Sequence, residues 1–261
     1  MIKGLYTAAT GMHAQQMNID VITNNIANVN TTSFKKDRAE FQDLMYQTLN
    51  YSAGSTSTDT KNPTGIDVGC GVRISNIQKE FLQGNCVTTG NELDIGITGA
   101  GFLKVTLPNG DTAYTRNGAL KIDSEGSLVN SLGYKIDPEI VIPSEVTKIS
   151  ITEDGKISGT LQDGTSQDLG ELTLTIFINN AGLAPQGNNL YLATDVSGDP
   201  VDGTPGLNGV GVIGQGMLES SNVALVTEMV NLITAQRGYE ANSKSITTTD
   251  TMLQTVNQLK K

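Results

Sequence analysis

The chain has 261 residues, and its 27 aspartates and glutamates against 17 lysines and arginines give a formal net charge of −10. A chain this acidic repels the phosphate backbone of nucleic acids, so nucleic acid is not an expected partner. The sequence has one histidine, His13, and two cysteines, Cys70 and Cys86, without a Cys-x-x-Cys spacing, and therefore no familiar zinc-binding pattern.

The state of the two thiols stays open at this point. They are either free or packed cysteines, or they form one intrachain bridge in an oxidising compartment.

The first ten residues contain one lysine and no apolar run of signal-peptide length, and no segment approaches the roughly 20 apolar residues of a membrane-spanning helix. We therefore expect neither a cleaved signal peptide nor a membrane span.

An amphipathic helix is predicted over about residues 4–29, because apolar residues recur at every seventh position. The repeat consists of Leu5, Met12, Ile19 and Ile26. Near the end of this helix, residues 24–35 read NNIANVNTTSFK and contain the amides Asn24, Asn25 and Asn28. These amides either end the helix by competing for its backbone hydrogen bonds or bond to a neighbouring chain.

Two different segments follow the first helix. Residues 34–51 contain apolar residues at helical spacing, so the helix either extends through them or ends before them. Residues 52–63 are rich in serine and threonine without periodicity, which predicts an extended connector.

The middle of the chain, residues 72–217, is predicted to be all-β. Short β-type runs, such as residues 102–107, 148–152 and 171–178, alternate with turn signals in which an asparagine, aspartate or glutamate precedes a glycine. The turn signals are Asn109-Gly110, Glu125-Gly126, Asp154-Gly155 and Asp163-Gly164. Turns this frequent between short strands favour a β-sandwich or a β-barrel.

A second amphipathic helix is predicted to run to the C-terminus, with Asn222 as a candidate N-cap. Its apolar positions again lie seven apart, at Leu225, Leu232, Tyr239, Ile246 and Leu253. Both apolar stripes are narrow, so each helix is expected to associate with a partner more readily than to fold alone. The two helices can meet as a hairpin within one chain or through other chains.

Other patterns carry no predicted chemistry. The G-x-G-x-x-G pattern at residues 209–214 follows a stretch that contains a proline instead of a buried strand, so a glycine-rich turn is expected. His13 has no patterned partner for general-base chemistry, and the acidic residues at 195–202 lack calcium-loop spacing. No catalytic residue, cofactor or metal site is predicted.

Three signatures, in order along the chain, resemble those of flagellar rod and hook proteins. The first signature is YTAATGMHAQQ at residues 6–16, followed by NNIANVNTTSFK. The second covers residues 93–134 and contains a G-x-G-F turn and a Tyr-Thr-Arg-x-Gly hairpin. The third is QGMLESSN at residues 215–222, followed by AQRGYEANSK at 235–244. Together they span nearly the whole chain. The length and residues 38–71 resemble the distal rod branch of this family more than its proximal rod or hook branches.

This resemblance implies an α+β fold in which long N- and C-terminal helices form a coiled-coil domain around an all-β central domain. The expected domains are a discontinuous helical assembly domain, residues 1–36 and 221–261, an extended connector, residues 37–72, and a β-rich outer domain, residues 73–220. The helices would pack with those of neighbouring subunits, and the connector would make further subunit contacts.

The resemblance also implies a non-enzymatic structural subunit, without cofactor or small-molecule substrate, that the flagellar export apparatus exports unfolded. Copies would polymerise into a straight hollow drive shaft that crosses the periplasm and transmits torque. Its other partners would be the proximal rod proteins, the hook protein and the surrounding ring proteins. The expected assembly residues are Leu5, Met12, Ile19, Ile26, Leu225, Leu232, Tyr239, Ile246 and Leu253 as an apolar seam, Asn24, Asn25 and Asn28 as interfacial amides, and Phe34.

Two alternatives are compatible with the same residues. One is a proximal rod or hook subunit of the same family. The other, from a different class, is a periplasmic β-rich ligand-binding protein or enzyme that uses its helices to dimerise.

Overall fold

The computed structural model describes residues 2–50 and 65–259. The chain divides into two compact units. We call Met1–Ala27, Asp37–Lys79 and Ala224–Lys261 the helical unit, and Asn28–Lys36 with Glu80–Val223 the β-unit. The described elements are α1 (Ile2–Ala27), β1 (Asp37–Asp43), β2 (Gln47–Asn50), β3 (Ile66–Val68), β4 (Val72–Lys79), β5 (Cys86–Thr88), β6 (Ile95–Thr98), β7 (Leu103–Thr106), β8 (Thr112–Thr115), β9 (Lys121–Ile122), β10 (Leu128–Val129), β11 (Lys135–Asp137), β12 (Val146–Ile151), β13 (Lys156–Leu161), β14 (Ser166–Glu171), β15 (Leu174–Ile176), a 3-10 turn (Asn180–Gly182), β16 (Ala184–Gly187), β17 (Leu190–Leu192), β18 (Val201–Gly203), β19 (Val212–Gln215), β20 (Met217–Glu219) and α2 (Leu225–Leu259).

The two helices pack against each other within the helical unit. Gly11 of α1 faces Asn242 of α2, and Gln15 of α1 faces Gly238 of α2. Because the residue number rises along α1 while it falls along α2, the helices are antiparallel. Of the two arrangements that the sequence left open, this chain therefore forms the helical hairpin.

The segment after α1 differs from its predicted structure. The helix ends at Ala27, and residues 37–72, expected to form an extended connector, contain paired strands. Strand β1 pairs with β4 in an antiparallel ribbon, from Asp37 opposite Lys79 to Asp43 opposite Val72. Strands β2 and β3 form a second antiparallel ribbon. Pairing gives backbone N–H and C=O groups partners that a single extended strand would leave to water. The serine- and threonine-rich residues 52–63 lie outside the described residues.

The β-unit is built on a seven-stranded antiparallel sheet with the strand order β16-β17-β8-β7-β11-β10-β9. Strands β12, β13 and β14 form a three-stranded sheet, and the remaining strands of this unit pair as β15-β18, β19-β6 and β20-β5. Successive side chains at the start of β7 point to opposite faces, as in any extended strand. Leu103 and Val105 belong to the large aliphatic core, whereas Phe102, just before β7, joins an aromatic cluster with Tyr114 and Phe177.

The four predicted turns are confirmed. Gly110, Gly126, Gly155 and Gly164 have φ between 78° and 85°, a left-handed conformation that glycine adopts without strain. At the first of them, the N–H of Gly110 donates to the carbonyl of Leu107 at 2.9 Å and closes the β7–β8 hairpin. Of the glycine-rich residues 209–214, Gly209 ends a turn, and residues 212–214 belong to strand β19 and not to a helix.

The start of α2 does not use the predicted cap. The helix begins at Leu225, three residues after Asn222. The Asn222 side chain instead accepts from the N–H of Lys36 at 2.8 Å and donates to the carbonyl of Glu80 at 2.8 Å.

No helix in the described parts of the chain is long and apolar enough to cross a membrane. Cys70 and Cys86 are free thiols.

Candidate assembly site

In the single chain, none of the predicted seam positions is fully buried. Leu225 and Tyr239 are exposed, and the other seam residues, Leu5, Met12, Ile19, Ile26, Leu232, Ile246 and Leu253, are half-buried. The fully buried positions of α2 are Glu228 and Ala235. Half-buried apolar side chains leave area for another chain, so a role of the seam in assembly remains a prediction.

The amide of Asn25 is fully used inside the single chain, so the interfacial role predicted for it remains a prediction. Asn25 is 2% exposed. Its Nδ2 donates to the carbonyl of Asp37 at 2.8 Å, and its Oδ1 accepts from the N–H of Asp37 at 2.8 Å. This reciprocal pair fixes the first residue of β1 to the end of α1.

The other predicted contacts near this end of α1 also have partners within the chain. Nδ2 of Asn24 lies 3.4 Å from a carboxylate oxygen of Asp37, and Oδ1 of Asn28 accepts from the hydroxyl of Thr31 at 3.1 Å. Phe34 is buried in the single chain, and its assignment to a subunit interface also remains a prediction. Asn24 and Asn25 lie inside α1 and only Asn28 follows it, so the choice between helix termination and an interfacial role stays open for these amides.

A second apolar row on α2 was missed by the sequence analysis. We call Val226, Met229, Val230 and Ile233 the α2 stripe; their exposed fractions lie between 51% and 76%. The spacing i, i+3, i+4, i+7 places the four side chains on one face of the helix. At 3.6 residues per turn, this face is roughly opposite the buried residues Glu228 and Ala235. A search for the three-four spacing, in addition to the seven-residue repeat, would have found it.

The β-unit contains a buried charged triad that sequence reasoning also missed. The Lys35 ammonium donates to Oε1 of Glu219 at 2.7 Å, and Nε of Arg116 donates to Oε2 of Glu219 at 2.6 Å. All three side chains are buried. The two cations also donate to backbone carbonyls, Lys35 to that of Leu82 and Arg116 to those of Ile97, Gly99 and Gly101.

The triad contains two buried cations and one buried anion. Burial is the main cause that lowers the pKa of the Lys35 ammonium below its ordinary value of 10.5, and the nearby Arg116 acts in the same direction. The hydrogen bond from Lys35 to Glu219 and their charge attraction oppose this lowering. Each charged atom in the triad is therefore held by geometry that satisfies its hydrogen bonds, as a buried ion pair requires.

The triad joins parts of the chain that are distant in sequence. Backbone bonds accompany it: the N–H of Ser33 donates to the carbonyl of Glu219 at 2.8 Å, and the hydroxyl of Ser33 donates to the carbonyl of Arg116 at 2.8 Å. The N–H of Gly84 adds a fourth donor to Glu219 at 2.8 Å. The segments that precede β1, follow β4 and precede α2 are thus bonded to one another inside the β-unit.

Three family models match the chain in separate regions. "Flagella basal body rod protein" matches residues 5–35, "Flagellar hook protein FlgE/F/G D1 domain" matches residues 96–159, and "Flagellar basal body rod FlgEFG protein C-terminal" matches residues 215–259. Each matched region contributes one residue to the buried triad: Lys35, Arg116 and Glu219, respectively.

Curated relatives match over the full length. The flagellar basal-body rod protein FlgG of Buchnera aphidicola subsp. Schizaphis graminum is 48% identical over 99% of this chain and 100% of its own. FlgG of Borreliella burgdorferi is 47% identical over 100% of both chains, and FlgG of Bacillus subtilis is 38% identical over 100% of both. The chain belongs to the flagellar basal-body rod proteins of the FlgG type. It is a structural subunit of the distal rod in the flagellar basal body, not an enzyme.

The rod-protein family also accounts for the general mode of action, which is self-polymerisation and association with other basal-body components. Among solved structures, the match titled "Crystal structure of Helicobacter pylori flagellar hook protein FlgE2" has 16% identity and covers 71% of this chain and 43% of that chain. Its TM-score of 0.24 is too low to support a structural argument.

Proposed function

We propose that copies of this rod protein polymerise through their helical units into a straight hollow shaft that crosses the periplasm and transmits torque to the hook. The observation that carries the proposal is the α2 stripe, Val226, Met229, Val230 and Ile233, which the chain's own α1 does not cover. An apolar row on the face opposite an existing helix contact is typical of a helix that packs on both sides.

The predicted seam gives the same helices a second place to meet other copies. Its half-buried side chains keep part of their apolar area exposed, so a neighbouring helix would bury the area that remains. Burial of apolar surface stabilises by about 25 cal/mol per Å². In this proposal the terminal helices form coiled coils between subunits and line the shaft, and the β-unit forms its outer wall.

The proposed partners follow from this arrangement and from family membership. They are the proximal rod proteins at one end of the shaft, the hook protein at the other, and the ring proteins that surround it. The flagellar export apparatus would deliver the chain unfolded and without a cleaved signal peptide. The weak apolar stripes of both helices suit a chain that orders fully on assembly.

Electron cryo-microscopy of the purified chain at rising concentration, with and without proximal rod proteins, tests the proposal. We expect straight hollow tubes lined by the terminal helices. The variant Val230→Asp/Ile233→Asp should remain monomeric because it would bury two unpaired carboxylates. Asn231→Asp, which adds a charge at an exposed position off the stripe, is the matched control and should polymerise. A wild-type chain that stays a discrete monomer or dimer under every condition would contradict the proposal.

A further inference from the structure

A cavity inside the β-unit is lined almost entirely by uncharged polar side chains. Its volume is about 360 Å³, near the lower end of the roughly 300–1,000 Å³ of small-molecule pockets. Of its nine described lining residues, five are asparagines, three are threonines or serines, and one is Leu132. None of these nine is ionisable, so the cavity offers hydrogen bonds without a charge. We call it the amide cavity.

The side chain of Asn130 supplies the amide cavity with a free donor. Asn130 is 8% exposed, and its Oδ1 accepts from the N–H groups of Leu132 and Tyr134, both at 2.9 Å. Only the oxygen of an amide can accept, so these bonds fix the orientation of the side chain. Nδ2 donates to no group in residues 2–50 and 65–259. Because no fully buried side-chain nitrogen or oxygen in these residues lacks a partner, this nitrogen is accessible from the cavity that Asn130 lines.

Two further amides offer one free group each. Oδ1 of Asn117 accepts from the N–H of Ala119 at 3.2 Å, and its Nδ2 has no partner among the described residues. Nδ2 of Asn189 donates to the carbonyl of Thr32 at 2.8 Å, and its Oδ1 accepts from no group in the described part of the chain. With Asn130, the cavity thus presents two donors and one acceptor, and a backbone hydrogen bond orients each amide.

The turn that carries Asn189 is held in place before any ligand arrives. Asn188 and Asn189 have φ of 54° and 60°, a left-handed conformation that asparagine tolerates better than most residues. Gly187 pairs with Leu190, so these two asparagines form the two-residue loop between β16 and β17. The hydroxyl of Thr115 donates to the carbonyl of Asn189 at 2.8 Å and accepts from the N–H of Asn117 at 3.1 Å. Groups ordered in this way lose little freedom on binding.

The chemistry of the amide cavity favours a neutral ligand with several hydroxyl groups. A hydroxyl both donates and accepts, so one polyhydroxylated ring can satisfy the two donors and the acceptor. A charged ligand would find no opposite charge in the lining. An extended peptide is usually bound along the edge of a strand, whereas the three free amides stand on turns and loops. Leu132 is 46% exposed and offers an apolar contact to the C–H groups of such a ring.

We propose that the amide cavity binds a neutral sugar unit. Nδ2 of Asn130 and Nδ2 of Asn117 donate to oxygens of the sugar, and Oδ1 of Asn189 accepts from one of its hydroxyls. All nine lining residues belong to the β-unit, so the site does not depend on the proposed polymerisation through the helical units.

Saturation-transfer difference NMR of the full-length chain, below the concentration at which it polymerises, tests the proposal. The probes are glucose, galactose, N-acetylglucosamine and glucuronate. At least one neutral sugar should bind saturably with a Kd on the order of 1 mM or tighter, which is within reach of a ligand with so few atoms. Glucuronate should bind about threefold more weakly or worse, because the lining contains no cation and the β-unit is acidic.

The variant Asn130→Asp locates the site. It keeps the oxygen that accepts from Leu132 and Tyr134 and replaces the free donor by an oxygen, so it should weaken sugar binding at least about tenfold. Asn109→Asp makes the same change in the exposed turn between β7 and β8, and this matched control should bind as the wild type does. If circular dichroism shows that Asn130→Asp is unfolded, Asn117→Asp removes the second free donor in the same way.

Each contrary outcome overturns the proposal. No saturable binding of a neutral sugar up to about 100 mM would exclude the ligand class, and glucuronate binding as tight as that of the neutral sugars would exclude the uncharged chemistry. Equal affinity of the folded cavity variant and the wild type, or an equal loss in Asn109→Asp, would place the sugar elsewhere. If no sugar binds and Asn130→Asp blocks polymerisation while Asn109→Asp does not, the cavity holds a segment of a second copy instead.

Discussion

Glu219 illustrates how a residue in a sequence signature can act by holding the structure together. Its carboxylate accepts from Lys35, Arg116 and the N–H of Gly84, so it is the one anion that serves two buried cations. The triad residues come from three signatures that the sequence analysis quoted, yet none was singled out. Long-range ion pairs have no periodicity or fixed spacing, so a single sequence does not reveal them.

The variant Glu219→Gln should destabilise the β-unit by about 3–5 kcal/mol, because it leaves two buried cations without a counter-charge. Chemical denaturation followed by circular dichroism measures the loss. Glu139→Gln is the matched control, since Glu139 pairs with Lys135 on the surface of the same unit and should change stability little. Equal stability of Glu219→Gln and the wild type would refute the role of the triad.

Lys35 should give the β-unit a measurable dependence on alkaline pH. Its pKa is lowered in the folded chain, mainly by burial, whereas the unfolded chain keeps the proton up to the ordinary value of 10.5. Between the lowered pKa of the folded chain and 10.5, the unfolded state binds more protons than the folded state. The free energy of unfolding therefore rises with pH across this range. The free energy of unfolding of the wild type minus that of Lys35→Met should therefore increase as the pH is raised from neutral to 10.5. A difference that declines over this range would contradict the expected sign.

At the scale of elements, two helix glycines have different surroundings although both lie where α1 meets α2. A methyl group at Gly238 would approach Cδ of Gln15 at 3.3 Å, the flexible end of a long side chain. A methyl group at Gly11 would approach Nδ2 of Asn242 at 2.8 Å and Cγ at 3.2 Å, on a shorter side chain that has less freedom to move away.

Gly238→Ala should therefore stabilise the helical unit by up to about 1 kcal/mol, the intrinsic advantage of alanine in a helix. Gly11→Ala should gain less or lose stability, because the same advantage is offset by the closer contact with Asn242. Thermal unfolding of both variants, followed by the helical signal in circular dichroism, gives the comparison. A larger gain at Gly11 than at Gly238 would show that this contact is described incorrectly.

Elements with a local signal were predictable, and those that depend on distant partners were not. The periodicity of α1 and α2 and the glycines of the four confirmed turns follow rules that involve neighbouring residues. Strand β1 was missed because its partner β4 is more than 25 residues away and because the bulge between Glu40 and Phe41 interrupts its alternation. Asn222 was assigned to a cap because the sequence gives no sign of its bonds to Lys36 and Glu80.

At the scale of the whole molecule, charge is divided unequally between the two units. The helical unit is neutral by formal charge, and the β-unit carries the entire net charge of −10. In a polymer held together by helical units, neighbouring β-units repel one another. The repulsion should limit how closely they approach and should weaken as salt screens it over a Debye length of about 10 Å at 0.1 M.

Polymerisation should therefore require a lower protein concentration as sodium chloride is raised. Light scattering across a salt series measures the critical concentration. The variant Asp163→Lys/Asp168→Lys, which reverses two exposed charges in and beside β14, should show a weaker salt dependence than the wild type. A critical concentration that rises with salt in both proteins would mean that attraction between charges, not burial of apolar surface, dominates assembly.

The bonded segments around the triad give the β-unit adjacent ends. The carbonyl of Asn85, just before β5, accepts from the N–H of Ser220, just after β20, at 2.8 Å. Everything between these two residues enters and leaves at one place, as an insertion does. A smaller or larger domain with equally close ends can replace this body only if it also supplies the carboxylate that Glu219 gives to the buried Lys35. In the proposed shaft, the size of the β-unit can therefore vary without a change in the length of the helices.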